Sequence, residues 1–396
     1  MAFFFIFSMN SNRKIKVGLL VPYSGVHTNI NTELEQGFLS GLEQAGANIS
    51  IRWFPEYIQS GSTKDTEKAL RKLILFDHVD LAIGIIGSKV ILQLLNFIQQ
   101  HQTPVVALNL GGYVPPQEMQ SEYLFYNSLH LWQSQFALGK WTHEQWGGIP
   151  SVGMSIYEAG YDIHNTFRIG ALIGGAENVW LSVLPYLKDS YNTLPLIEVW
   201  KEQKPTHVHA LLSGKEGDQF LQNFAQSDLK ENLHLTVNPF MVEDGKLAES
   251  AYLKSLQLAN AATWFAGLQN TENQKFVQTY TEQYNEMPGV YSLMAYETGL
   301  TLGTFLAKTE NNITKKILTV GLQQNDVLGP RGIIQITTNP VLKTKMPVYI
   351  RTAFVNQEQV WENTLTETVE GIEWNDSMLE ETRLNVSGWQ NPYLCV

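Results

Sequence analysis

Residues 15–28, IKVGLLVPYSGVHT, decide the fold near the start of the chain. The run that ends at Pro22 is mostly apolar, as is typical of a strand buried on both faces of a parallel sheet. A polar loop follows over residues 23–28, and residues 33–45 then repeat apolar side chains at helical spacing, namely Leu34, Phe38 and Leu42. The stretch therefore predicts a strand, a loop and a helix, which together form the repeating unit of an α/β fold.

The same unit recurs downstream. We predict further strands at Ile49–Tyr57, Asp80–Ile86 and Pro104–Leu108, with helices from about Thr63, an N-cap candidate, and over Val90–Gln100. Strands that alternate with helices predict a parallel sheet, and ligands of such sheets bind beyond the carboxyl ends of the strands. The loops at those ends are residues 23–28, 87–89 and 109–113.

A second series of helices and strands begins with the amphipathic helix Leu131–Trp146. Strands are predicted at Ser151–Tyr157, His207–Leu212 and Thr263–Gly267, and a long apolar helix at Tyr291–Ala307. No flexible linker separates the two series. We therefore predict two lobes that are joined by several crossings of the chain.

The composition excludes several functional classes. The 396 residues carry a net charge of −11, which argues against binding to nucleic acid. The one cysteine, Cys395, excludes an intramolecular disulfide and a multi-cysteine metal site. The sequence lacks the nucleophile elbow, the phosphate loop and the dinucleotide fingerprint, and no third metal ligand accompanies His207 and His209. We expect a binding protein without cofactor or metal, and an α/β enzyme is the weaker alternative.

The sequence leaves the cellular compartment open. The apolar run Phe3–Phe7 is shorter than the roughly 7–15 residues of a signal peptide's hydrophobic region, and the basic pair Arg13–Lys14 follows it instead of preceding it. No stretch reaches the roughly 18 apolar residues that a membrane span requires, so we expect a protein that is not membrane-embedded. We interpret residues 1–13 as disordered or as the remnant of a leader, with export and cytoplasmic retention both open.

The chain beyond Trp361 is acidic but also contains large apolar side chains. Its acidic positions are Glu367, Glu370, Glu373, Asp376, Glu380 and Glu381. Its apolar positions are Trp374, Leu379, Leu384, Trp389 and Tyr393. We expect this tail to pack on the second lobe.

Five segments in order along the chain resemble the leucine/isoleucine/valine-binding family of type I periplasmic binding proteins. They are Pro22-Tyr23-Ser24-Gly25 after the first strand, Ile83–Ser88 at the family's G-P-x-S turn, Thr103–Val106, the helical pair Phe276–Tyr296 and Leu328–Ile334. The resemblance covers residues 14–350.

This resemblance implies two Rossmann-like lobes with parallel sheets, joined by a multi-stranded hinge, that close around a small polar molecule such as an amino acid. The first lobe would comprise residues 14–130 and 263–345, and the second residues 131–262 and 346–396. The implied role is ABC-type uptake, with an ABC permease as partner and the periplasm as compartment. A cytoplasmic ligand sensor of the same fold is the alternative.

The resemblance also implies which residues contact the ligand: Tyr23, Ser24, Ser88, Asn109 and Gly111 from the first lobe, and Tyr161, Ser213 and Asp244 from the second. Ser88 stands at a strand-to-helix turn, where its hydroxyl, the free N–H groups and the helix dipole can together hold a carboxylate. Tyr161 would close over the ligand. Asp244 would pair with a ligand ammonium group, and Glu243 takes that role if the register shifts by one residue.

Most of these residues have a structural alternative. Ser88 is equally suited to cap a helix, Asn109 to stabilise a turn and Tyr161 to fill a core. Asp244 also suits a solvated turn. Gly111 stands where the family has threonine, so close backbone approach is possible but the hydroxyl is lost, and this departs from the amino-acid-binding pattern.

Overall fold

The computed structural model describes residues 14–115, 120–185, 191–310, 312–324, 326–339, 346–370, 372, 374, 376–385 and 389–394. The first lobe is built on a five-stranded parallel sheet with the strand order β2-β1-β3-β4-β5. Its elements are β1 (Lys14–Val21), α1 (Ile30–Gln44), β2 (Ser50–Tyr57), α2 (Thr63–Leu75), β3 (Leu81–Ile85), α3 (Ser88–His101), β4 (Val105–Asn109) and β5 (Leu124–Ser128). Every residue of β3 and β4 is buried, which explains their continuous apolar sequence.

The second lobe contains a seven-stranded sheet with the order β14-β13-β10-β9-β8-β6-β7. Its first elements are α4 (Leu131–Trp146), β6 (Pro150–Ser155), α5 (Ile163–Ile173), β7 (Trp180–Leu184), α6 (Leu194–Gln203), β8 (His207–Leu211), α7 (Gly214–Gln226), β9 (His234–Val237) and β10 (Leu258–Ala262). Strands β6 to β10 are mutually parallel. Two antiparallel strands, β13 and β14, extend the sheet beyond β10.

After β10 the chain returns to the first lobe and then crosses back. The returning elements are α8 (Thr271–Tyr284), α9 (Val290–Leu306), α10 (Lys315–Leu322) and the hairpin β11 (Leu328–Gly329) and β12 (Gly332–Ile333). The chain then re-enters the second sheet as β13 (Val348–Val355) and β14 (Trp361–Val369). It thus passes between the lobes three times, and Thr263 Oγ1 joins the first two crossings by donating to the Leu129 carbonyl at 2.7 Å.

A buried ion pair fixes the end of β5, where the first crossing begins. The guanidinium of Arg331 donates from Nε to Glu297 Oε1 at 2.8 Å, and from its terminal nitrogens to Asn127 Oδ1 and the Ser128 carbonyl, each at 2.7 Å. Arg331 and Glu297 are both buried. The pair therefore connects the hairpin, α9 and β5 within one hydrogen-bonded network.

Two local predictions are wrong. The strand predicted at Thr263–Gly267 lies just upstream, as β10. The following Trp264 is instead buried in an irregular segment, where its indole N–H donates to Asn273 Oδ1 at 2.7 Å. Apolar aromatic residues fill the core there without extending the strand. The N-cap of α2 is Ser62 and not Thr63, since Ser62 Oγ accepts from the Asp65 N–H at 3.2 Å.

The tail contacts both lobes. Its helix α11 (Asp376–Asn385) is held near α5 by an ion pair of 2.7 Å between Arg168 and Glu381, while Arg383 donates to the Pro115 carbonyl at 2.7 Å. Residues 389–394, which we call the cleft segment, lie between the lobes, whereas the sequence led us to expect packing on the second lobe alone. Residues 1–13, Glu373 and Cys395 fall outside the described part of the chain. Within that part, no helix has the length and apolar character to cross a membrane.

Candidate functional site

The carboxyl ends of the parallel strands in the two sheets face each other across a cleft. On the first lobe, its wall consists of the loops after β1, β3 and β4. Ser24 is buried in the first of these loops, and its Oγ accepts from the N–H groups of Val26 and His27. In the second, α3 begins at Ser88, which is 4% exposed. This wall therefore presents a buried hydroxyl and a helix N-terminus, both suited to an anionic group.

The second-lobe wall is formed by the loops after β6, β8 and β9. A short 3₁₀ turn after β6 places Glu158, and Tyr161 follows it with its hydroxyl donating to the Tyr157 hydroxyl at 2.9 Å. Ser213 stands at the start of α7, and Asn238 after β9 caps another short turn by accepting from the Phe240 N–H at 3.2 Å. The wall is mainly aromatic and carries the buried acid Glu158, with Asp162 buried at the end of the same loop.

The ring of Tyr393, from the cleft segment, is enclosed by this second wall. It meets Tyr161 edge-on with 4.8 Å between ring centroids, and it lies 6.0 Å from Phe240. Its hydroxyl accepts from the side-chain amide of Asn238 and lies beside the Glu158 carboxyl. We call this enclosure, formed by Tyr161, Phe240, Asn238 and Glu158, the phenol pocket.

Burial shapes the electrostatics of the cleft. It raises the pKa of Glu158 to about 7, and the neighbouring hydroxyls of Tyr393 and Ser213 reduce that rise, although neither makes a full hydrogen bond with the carboxylate oxygens. Burial also raises the pKa of Asp162 to about 7, while its carboxylate accepts from the Val114 N–H at 2.8 Å. The pKa of the Tyr161 phenol is raised by burial as well, which keeps that phenol neutral. The cleft thus contains acids that respond to a polar or cationic neighbour near neutral pH.

A further cavity of about 750 Å³ opens at the mouth of the cleft. Gly25 and Val26 line it from the first lobe, and Ser213 and Glu216 from the second, with Trp389 of the cleft segment between them. Its size suits a small organic molecule.

Four of the predicted ligand residues lie around the cleft. The Ser24 hydroxyl donates to the Leu394 carbonyl at 3.4 Å, and the Tyr161 hydroxyl accepts from the Asn391 amide at 3.0 Å. Ser88 begins α3 next to Gly87, where an added β-carbon would approach the Gln390 carbonyl oxygen to 2.6 Å. Ser213 lines the cavity at the mouth of the cleft and adjoins Glu158. Their contact with a ligand stays a prediction.

The other four predicted residues have different surroundings. The Tyr23 side chain is 72% exposed. Asn109 bridges two loops, donating to the Ile86 carbonyl at 2.9 Å and accepting from the Gly111 N–H at 2.6 Å. Gly111 has a φ of +80° and adjoins the start of α4, so its small size is required by the packing of the backbone. These surroundings match the structural alternatives for Asn109 and leave the ligand roles of Tyr23, Asn109 and Gly111 as predictions.

Asp244 lies towards the hinge. It accepts from the backbone N–H of Asn363 at 2.7 Å and from the side-chain amide of Asn363 at 3.1 Å. Together with Glu243 and Arg351 it lines a small cavity of about 80 Å³ near the crossings. Its pairing with a ligand ammonium group therefore stays a prediction, and Glu158 is the buried acid beside Tyr393.

Sequence reasoning did not single out Glu158, Asn238 and Phe240 as cleft residues, and it included Tyr113 only within the loop 109–113. Glu158 lies in the loop after the predicted strand Ser151–Tyr157. Ligands of parallel sheets bind at such loops, so the sequence did carry a signal for this residue. No comparable signal marks Asn238 or Phe240, because the strand β9 that positions them spans only four residues.

Metal binding has no support in the described ranges, where no group of three or more histidine, cysteine or acidic side chains is arranged to hold an ion. His209 is buried, stacks on Phe167 with 4.2 Å between ring centroids and contacts Thr236 Oγ1 through Nδ1 at 2.9 Å. It is therefore a packed histidine of the core.

Comparison with known proteins agrees with this architecture. A family model described as "Periplasmic binding protein" matches residues 14–353. No curated protein matches. An ABC transporter substrate-binding protein from Sphaerobacter thermophilus is 20% identical with a TM-score of 0.77, and the alignment covers 90% of this chain and 98% of that one.

Two further solved structures are similar. A solute-binding protein of an ABC transporter from Rhodopseudomonas palustris HaA2, in complex with p-hydroxybenzoic acid, has 16% identity and a TM-score of 0.71, with 90% and 97% of the two chains covered. A leucine-, isoleucine-, valine-, threonine- and alanine-binding protein from Brucella ovis, in a closed conformation, has 15% identity and a TM-score of 0.70, with 90% and 95% covered. The predicted α/β fold of two lobes is confirmed. Since the family model spans most of the sequence, the chain belongs to the type I periplasmic-binding-protein family, which includes ABC transporter substrate-binding proteins.

Proposed function

We propose that this protein binds a small aromatic acid with a 4-hydroxyphenyl ring, such as 4-hydroxybenzoate or tyrosine, between its lobes. The main support for this proposal is the phenol pocket, which surrounds a 4-hydroxyphenyl group of the chain itself. Tyr161 and Phe240 make aromatic contacts with the ring. The Asn238 amide donates to its hydroxyl, and the Glu158 carboxyl lies beside that hydroxyl. Such an enclosure selects for shape and for a polar group at one end of the ring.

The polar end of the pocket carries the specificity. The Asn238 amide donates to the phenol oxygen, and Glu158 can accept the phenol proton. A ligand without the hydroxyl leaves the buried side-chain amide of Asn238 without that partner, at a cost of about 1–3 kcal/mol. Benzoate is therefore expected to bind less tightly than 4-hydroxybenzoate, and leucine less tightly than tyrosine.

The acidic end of the ligand would lie against the first lobe. Ser24 already donates to a backbone carbonyl of the cleft segment, and the N-terminus of α3 at Ser88 faces the same segment. A carboxylate in that position would receive a hydroxyl hydrogen bond and the favourable end of the helix dipole. The ligand would thus span both lobes, and its contacts on both sides would favour closure.

In this proposal the protein works without catalysis as the binding component of ABC-type uptake, with an ABC permease as partner and the periplasm as compartment. The family supplies the support for that role. The structures of related solute-binding proteins with p-hydroxybenzoic acid and with benzoate support the choice of ligand class.

Isothermal titration tests the ligand. We would titrate 4-hydroxybenzoate, benzoate, L-tyrosine and L-leucine at pH 7 into the variant Tyr393→Ala, which vacates the phenol pocket. We expect 4-hydroxybenzoate to bind at least tenfold more tightly than benzoate. The near-isosteric substitution Asn238→Asp in the same background removes the amide donor and should abolish that preference.

The matched control is Asn223→Asp, which changes a partly buried amide on α7 that bonds Thr193 away from the phenol pocket. It should leave the preference intact. Equal affinity for 4-hydroxybenzoate and benzoate, or no binding by any of the four compounds, refutes the proposed ligand.

A further inference from the structure

The cleft segment, residues 389–394, contacts both lobes at the site where a ligand is expected. From the first lobe, the Tyr113 hydroxyl donates to the Trp389 carbonyl at 2.7 Å. From the second, the Tyr157 carbonyl accepts from the Trp389 indole N–H at 2.8 Å. The Asn391 side chain adds a contact of 3.3 Å to the Tyr157 hydroxyl. Because the segment bonds to both walls, it stabilises their approach as a bound ligand would.

Glycines in both walls make room for this segment. A β-carbon on Gly112, in the first lobe, would come within 2.7 Å of the Tyr393 β-carbon. A β-carbon on Gly160, in the second lobe, would come within 1.9 Å of the Trp389 indole nitrogen. In both cases the three nearest atoms belong to the cleft segment. The two walls are therefore shaped to the segment at these points.

Residues 392–394 of the segment are buried to the extent expected of a bound peptide. Tyr393 and Leu394 are each 1% exposed, and Pro392 is also buried. Upstream, α11 is anchored to the protein by the ion pair of Glu381 with Arg168. A covalently attached segment that is held close to the cleft acts at a high effective concentration.

We propose that the cleft segment is an internal occupant of the binding cleft that competes with the external ligand. This inference rests on the proposed function in one respect, that the phenol pocket is also the ligand's pocket. Tyr393 places in that pocket the same 4-hydroxyphenyl group that the proposed ligand carries. A ligand can then bind only when the segment has left, so its apparent affinity is reduced by the fraction of molecules in which the cleft is free.

The test compares the intact chain with Tyr393→Ala and with a variant that ends at Gly388. Hydrogen–deuterium exchange is measured over residues 111–114 and 157–161, and 4-hydroxybenzoate is titrated into each protein. We expect amide exchange at least tenfold faster in the shortened variant. We expect an affinity for 4-hydroxybenzoate at least tenfold higher in both variants, which corresponds to 1.4 kcal/mol.

A steric variant checks the same point without changing the segment. Gly160→Ala should displace Trp389 and speed exchange over residues 157–161. Two matched controls should leave exchange and affinity unchanged. Tyr252→Ala removes a tyrosine that is 60% exposed on the second lobe, and Gly217→Ala adds a methyl group at a buried glycine whose nearest neighbours lie at ordinary contact distances from 3.4 Å.

The outcomes separate this inference from the proposed ligand. Unchanged exchange in the shortened variant overturns the inference, whatever binds. Faster exchange with the same affinity for 4-hydroxybenzoate also overturns it, because the segment then does not compete. Faster exchange with no binding by any variant supports occupation of the cleft by the segment and refutes the proposed ligand instead.

Discussion

The substitution Glu158→Gln should make the stability of the protein depend on pH in a defined direction. Glu158 is completely buried, and burial raises its pKa from the ordinary 4.5 to about 7 in the folded chain. The folded state therefore holds the proton more tightly than the unfolded state. The contribution of this group to stability is fully present below pH 4.5 and is lost as the pH rises through 7.

The magnitude follows from the two pKa values. Their difference of about 2.5 corresponds to about 3 kcal/mol of destabilisation at a pH well above 7. Between pH 5 and pH 8, where most of that change falls, the wild-type chain should lose about 2–3 kcal/mol through this group alone. Glutamine has no charged form, so the variant escapes that loss. Relative to wild type, the variant should therefore gain about 2–3 kcal/mol between the two pH values.

Urea denaturation followed by tryptophan fluorescence at pH 5 and pH 8 measures this gain. The matched control is Glu198→Gln, at a carboxylate that is 66% exposed, where we expect little change at either pH. If the free-energy difference between Glu158→Gln and wild type were the same at pH 5 and pH 8, the assignment of a proton to the folded Glu158 would be refuted.

Two further substitutions test the buried ion pair at the first crossing and the close packing of α4 on α5. Glu297→Ala leaves the buried guanidinium of Arg331 without its carboxylate, and we expect the free energy of unfolding to fall by about 3–5 kcal/mol in urea denaturation. Gly139→Ala forces a β-carbon to within 2.0 Å of the Phe167 carbonyl oxygen, where α4 and α5 pack closely, and we expect a loss of about 1–3 kcal/mol by the same assay.

Each of these substitutions has a matched control on the same chain. Glu67→Ala breaks an exposed ion pair of 2.8 Å with Arg71 on α2 and should cost less than about 1 kcal/mol. Gly217→Ala places its methyl group on a buried helix with room for it and should be close to neutral. A loss for Glu297→Ala no larger than for Glu67→Ala would contradict the role of the buried pair. For Gly139→Ala, a loss no larger than for Gly217→Ala would contradict the close packing of the two helices.

The strands of the first sheet could be predicted because burial on both faces leaves a continuous apolar run. The predicted strands Asp80–Ile86 and Pro104–Leu108 correspond to β3 and β4 within one residue at each end. The helix Leu131–Trp146 is observed with the same bounds, since its start follows a crossing and its end is marked by Gly147, which has a φ of +59°. Short elements such as α6 and β9 gave weaker patterns, and α6 was missed.

The cleft was harder to predict because its residues come from loops whose contacts depend on the tertiary fold. Asp244 and Glu158 are both acids in loops after second-lobe strands, and nothing local tells which of them adjoins the cleft segment. Asp244 is held away from the cleft segment by Asn363 of β14, whose backbone N–H donates to it from 119 residues along the chain. The cleft segment itself has no local signal either, since its partners Tyr113, Tyr157 and Asn238 lie between 155 and 276 residues upstream.

The pKa of Glu158 and the occupant of the phenol pocket are physically coupled. Hydroxyl groups beside the carboxyl lower its pKa, so they stabilise its ionised form. By linkage, the ionised carboxyl must in turn favour any occupant that brings a phenol hydroxyl, and protonation of Glu158 must weaken that preference. Tyr393 and a phenolic ligand bring the same group and gain equally from this effect. A rise in pH through 7 therefore does not favour one competitor over the other through this contact, and the balance between them depends on their contacts with Ser24 and with the start of α3 on the first lobe.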